Sequence, residues 1–119
     1  MRLLRLKRFK PVNLENEWKH IQGFCSQRKT WPTAVEQADK LLEKALRNKG
    51  YKGKTTGERL VAAQRHLRFN EEVWFSHKYS SKITQQPIDV RKLKKNDVIQ
   101  ALAGFREALR DLGALGEKK

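Results

Sequence analysis

Val98, Leu102, Phe105, Leu109 and Leu112 recur at i, i+4, i+7, i+11 and i+14, and Gly113 follows the last of them. This is one face of a 3.6-residue period held for about four turns, closed by the residue type that most readily takes the left-handed stop conformation. A helix over 95–112 is predicted. Val35, Ala38, Leu42 and Ala45 draw a second such stripe, with Leu41 and Leu46 beside it, Pro32 in the first turn and Gly50 at the end. Proline in the first turn loses no hydrogen bond, so this pattern reads as a helix over 32–49.

Three weaker patterns complete the chain. Leu14, Trp18, Ile21 and Cys25 follow Asn13, an N-cap residue type, with Glu15 and Glu17 placed to suit the helix dipole, giving a helix over 14–25. Thr55-Thr56-Gly57-Glu58 has the form of a capping box and opens a helix over 56–67 through Leu60, Val61, Gln64 and Leu67. Asn70, with Glu71 and Glu72 behind it, caps a fourth helix that turns Val73, Trp74, His77 and Ser81 inward and ends before Pro87. Residues 85–93 carry no helical stripe and read as an extended connection. No strand-like alternation appears, so the fold class is all-α, a small bundle of four to five helices. The expected organisation is a basic arm over 1–13, the bundle over 14–113, and a short basic tail over 114–119.

Charge constrains the partner. Lys and Arg number 27 against 13 Asp and Glu in 119 residues, a formal charge of +14. Neutralising phosphates releases condensed counterions, so an excess of this size points to nucleic acid. Arg2, Arg5, Lys7, Arg8 and Lys10 lie in the arm with no acid among them, and residues 47–68 oppose seven basic side chains to Glu58 alone. A third concentration is Arg91, Lys92, Lys94 and Lys95. The single cysteine, Cys25, excludes an internal disulfide, and three histidines with one cysteine do not supply the paired ligands of a structural zinc site. No metal or cofactor is expected. No apolar run reaches the ~20 residues of a membrane span, and the charged N-terminus is no signal peptide, so the expected setting is cytoplasmic, ahead of an organelle transit sequence.

The loop Gly50-Tyr51-Lys52-Gly53-Lys54 carries the chemistry. Arg47, Lys49, Lys52, Lys54 and Arg59 surround Tyr51, the glycines allow close backbone approach, and free N–H groups begin the next helix. Tyr51 either stacks on a base or packs on the core. Gly53-Lys54-Thr55 is not a phosphate-binding P-loop, because Asn48 stands where the first glycine belongs and a helix precedes it instead of a strand. Trp18, Trp31 and Trp74 fall at apolar positions and read as core. His77 shares an inward face, and His20 has no placed partner.

The course from Trp31 to Leu46, then Gly50-Tyr51-Lys52-Gly53-Lys54-Thr55-Thr56-Gly57-Glu58-Arg59-Leu60, then Trp74 to Lys78 and the closing 101–112 helix, resembles the HEPN-like four-helix-bundle domains of bacteria over about residues 14–113. In active members the resemblance implies metal-independent RNA cleavage across a dimer, by an Arg, a polar residue and a later His that follow a His-Lys pair. Here His77-Lys78-Tyr79 is followed by Ser80 at the Arg position, Ser81 at the polar one and Gln85 at the His position. Neither Ser nor Gln offers a cation to the scissile phosphate or a group titrating near neutral pH. The resemblance therefore implies the bundle and a homodimer face without the nuclease. Arg59 and His66 also show an Arg-x6-His spacing on one helical face, but on the wrong helix.

The expected function is a non-catalytic RNA-binding protein that holds the phosphate backbone of a structured RNA, ribosomal RNA among the candidates. Its contacts are the arm, the Gly/Lys loop with Tyr51, and the 91–95 cluster. RNA is favoured over DNA on the resemblance alone, since phosphate contacts carry no sugar preference. The alternatives are a protein-interaction module, such as an inactive HEPN-like dimer or a toxin–antitoxin-like partner, and a ribonuclease using Arg59 and His66.

Overall fold

Proline at the start and glycine at the stop define the longest helix. The computed structural model describes residues 13–115. The helices are α1 (Glu15–Gly23), α2 (Trp31–Asn48), α3 (Thr56–Ala63), α4 (Asn70–Gln85) and α5 (Lys95–Asp111), and no strand occurs among the described residues. Gly50 has φ of 89°, a conformation that costs a side chain dearly. Around it Gly50 N–H donates to the Arg47 carbonyl and Tyr51 N–H to the Leu46 carbonyl. Gly113, at φ of 73°, closes α5 by the same pair of bonds, to Arg110 and Leu109. In both cases the stop satisfies carbonyls that a helix end otherwise leaves bare.

α4 and α5 form the broadest seam, and α2 packs across both, with α1 and α3 laid against α2. Phe105, Leu42, Leu46, Leu60, Leu109, Val35 and Val73 make the fully buried centre. Gly104 is what lets α4 and α5 approach. A Cβ there would lie 2.6 Å from the Glu72 carbonyl oxygen and collide with Ser76 Oγ. Ser76 uses that space to donate to the Ala101 carbonyl at 2.6 Å, tying the two helices.

Several expected boundaries shift for local reasons. α1 and α3 stop at Gly23 and Ala63, and the residues beyond them, Phe24–Ser26 and Gln64–His66, continue as 3₁₀ turns. Asn70 does not cap α4: its amide donates to the Gln64 and Leu67 carbonyls, closing the end of α3 instead. Asn13 does cap, accepting from Glu15 N–H at 2.8 Å. The inward face of α4 is Val73, Ser76, Tyr79, Ser80 and Ile83, while Trp74, His77 and Ser81 are half-buried. The connection after α4 is extended at Gln86, but Val90–Lys92 forms a 3₁₀ turn that Asp89 caps at Arg91 N–H. Ala114 and Leu115 are buried, and the Ala114 carbonyl accepts from Leu14 N–H at 2.7 Å, so the bundle extends through 115 and the expected tail is shorter.

Candidate nucleic-acid interface

The Gly/Lys loop is fixed by its own side chains. Thr55 Oγ1 accepts from Glu58 N–H at 3.1 Å, and Glu58 returns a carboxylate oxygen to Lys54 N–H at 2.7 Å. Arg59 Nη1 donates to the Tyr51 carbonyl at 2.8 Å, and the Tyr51 hydroxyl is hydrogen-bonded to His66 Nδ1 at 2.9 Å. Tyr51 is half-buried and packs against the core, so its ring is engaged from two sides. Lys49, Lys52 and Lys54 are exposed and make no ion pair among the described residues. A backbone held by side-chain hydrogen bonds thus carries three ammonium groups that have no ion pair among the described residues.

The other expected residues divide. Arg47 is exposed and pairs with Glu43 at 3.3 Å. Arg59 is half-buried, and its guanidinium serves the loop. Arg91 grips Asp89 through two bonds, which hold the Asp89 carboxyl below its ordinary pKa and raise that of the guanidinium. Lys92, Lys94 and Lys95 are exposed without an ion pair among the described residues. Arg2, Arg5, Lys7, Arg8 and Lys10 lie outside the described residues.

The structure separates the two basic clusters. The Gly/Lys loop leaves the last turn of α2, and the 90–92 turn packs beside the 3₁₀ turn Arg28–Thr30 that leads into its first. An 18-residue helix is about 27 Å long, so the clusters sit at opposite ends of the bundle. Asn13, where the described residues begin, belongs to the loop end, since Glu17 in the first turn of α1 pairs with Lys44 near the end of α2.

Three features escaped the sequence reading. Arg28 donates to the Val90 and Leu93 carbonyls at 3.2 and 2.7 Å and lies over the Trp31 ring, fixing the 91–95 cluster to the start of α2. His77 donates from Nδ1 to the Asp39 carboxylate, 3.0 and 3.2 Å from its two oxygens, linking α4 to α2. Arg59 and His66 meet only through Tyr51. Ser80 is buried and Gln85 is exposed at the last residue of α4. Among the described residues no three His, Cys, Asp or Glu side chains group as metal ligands, and no helix is long and apolar enough to cross a membrane. No protein-family model, curated protein or solved structure matches the chain.

Proposed function

We propose that this protein is a non-catalytic RNA-binding bundle of HEPN-like type that holds phosphates at its two basic ends. The observation that carries the reading is the Gly/Lys loop. Lys49, Lys52 and Lys54 are exposed and make no ion pair among the described residues, on a backbone held by Arg59, Thr55 and Glu58. Ammonium groups held this way give up little loop entropy when they meet a phosphate backbone. In the sequence, five more cations, Arg2, Arg5, Lys7, Arg8 and Lys10, precede Asn13. Ribosomal RNA or another structured RNA of the cytoplasm offers the duplex and loop phosphates such ends can track.

Cleavage is not part of the proposal. Ser80 is a buried neutral hydroxyl, Gln85 has no proton to exchange near neutral pH, and the Arg59 and His66 side chains are both engaged by Tyr51. The test is titration of a structured RNA at several salt concentrations, with the RNA recovered and sized afterwards. Intact RNA bound with an affinity that falls steeply with salt is expected. Absence of salt-dependent binding would give first place to a protein-interaction module, and cleavage lost on His66→Ala would establish a ribonuclease.

A further inference from the structure

A cavity of about 490 Å³ opens where α4, the 86–94 connection and the first turn of α5 meet. This volume falls within the ~300 to 1,000 Å³ of small-molecule sites. Its inner wall is Tyr79, Ile83 and Leu93, each less than a tenth exposed, and Pro87 and Ile88 extend the apolar side. Lys82, Lys92 and Lys94 stand exposed around it, with the half-buried Asp97. Asp89 also lines it but is held by Arg91.

The Tyr79 hydroxyl is buried and makes no hydrogen bond among the described residues. Its ring is stacked on Phe75, with centroids 5.8 Å apart and planes 14° from parallel. Burial, and then the negative charge of Asp97, push the phenol pKa up, so the group keeps its proton. Proteins rarely leave such a donor unused, and an orphan of this kind in a cavity wall calls for a partner.

We propose that this cavity takes one unstacked adenine or cytosine of a single-stranded RNA segment. Tyr79 donates to the ring nitrogen and Asp97 accepts from the neighbouring exocyclic amine. Ile83, Ile88 and Leu93 cover the faces of the base, and Lys82, Lys92 and Lys94 hold the flanking phosphates. An acceptor next to an amine is the pattern that a phenol and a carboxylate complement. Uracil sets an N–H between two carbonyls and leaves the carboxylate opposite an acceptor. Reading an unstacked base on its pairing edge is the usual route to specificity for single-stranded RNA. The proposal rests on the RNA reading above and adds base preference at the 91–95 end.

Short labelled oligoadenylate, oligocytidylate and oligouridylate, titrated by fluorescence anisotropy, test it with the wild-type chain, Tyr79→Phe and Asp97→Asn. The wild type is expected to bind the adenylate or cytidylate about fivefold or more tightly than the uridylate, the scale of one hydrogen bond. Both variants should lose that preference while the salt slope stays unchanged. Tyr79→Phe should melt at the same temperature or higher, because the hydroxyl it removes has no partner among the described residues. Equal affinity of the wild type for all three, or a preference that survives both substitutions, overturns the base pocket while leaving phosphate binding intact. Failure of every oligonucleotide and of structured RNA to bind overturns the RNA reading and the pocket together.

Discussion

Arg59 donates its guanidinium to the main-chain carbonyl of Tyr51 at 2.8 Å. An arginine that the sequence offers as a phosphate ligand is thereby a clamp on the loop that carries the lysines. Arg59→Gln should lower unfolding stability by about 1 kcal/mol, the net worth of one such bond, measured by denaturant titration. The slope of log affinity against log salt should shrink by less than the ~0.7 to 0.9 expected for each phosphate contact removed. A full unit of lost slope with unchanged stability would return Arg59 to the contact surface.

The separation of the basic ends gives a second prediction. Replacing Lys49, Lys52 and Lys54 with Gln removes about 2 to 2.7 from the salt slope if each meets a phosphate, and replacing Lys92, Lys94 and Lys95 removes a similar amount. On a long structured RNA that runs the ~27 Å of α2, the two losses should add. On an oligonucleotide too short to span that distance, one triple substitution should matter and the other leave the slope nearly intact. Equal additive losses on the short probe would mean that the ends act independently of reach.

Much of this architecture is legible in the residues, and the exceptions have a common cause. α2 and α5 carry long apolar stripes ended by Gly50 and Gly113, so their lengths follow from periodicity and stop chemistry alone. α4 misleads because two of its buried positions, Ser76 and Ser80, are polar, which shifts the apparent apolar face toward Trp74 and His77. Ser76 is buried only because Gly104, on a distant stretch of chain, leaves room for it. Asn70 reads as an N-cap, but tertiary geometry turns its amide back to α3. The exposed lysines of both clusters are visible as charge runs. Their separation and the Arg28 bonds to Val90 and Leu93 arise from contacts between segments far apart in sequence, and the Tyr79 cavity from the path of the 86–94 connection between α4 and α5, none of which an apolar stripe encodes.

The Ser76–Gly104 contact can be tested directly. Gly104→Ala places a methyl 2.6 Å from the Glu72 carbonyl oxygen, a backbone atom inside α4 that cannot rotate away. The helices must separate, at a cost of about 1 to 3 kcal/mol or more. For a domain of this size that corresponds to a melting temperature lower by about 4 °C for each kcal/mol. Adding Ser76→Ala relieves the collision with the hydroxyl and leaves the carbonyl contact, so the pair should recover only part of the loss. Full recovery would show that the hydroxyl alone set the spacing of α4 and α5.

Tyr79 supplies a prediction in alkaline solution. Burial and the Asp97 charge raise its phenol pKa above the ordinary value of about 10. The unfolded chain therefore loses this proton before the folded one does. The associated stability is fully present below pH ~10 and declines as pH rises through the unfolded and then the folded ionisation. Urea midpoints between about pH 9 and 11 should fall more steeply for the wild type than for Tyr79→Phe, the difference between the two curves removing the shared titration of the lysines. Tyr79 should contribute a late component to the phenolate absorbance, and that component should vanish in Tyr79→Phe. Parallel midpoint curves, or a late component that persists in the variant, would show that burial and Asp97 do not hold the Tyr79 phenol above its ordinary range.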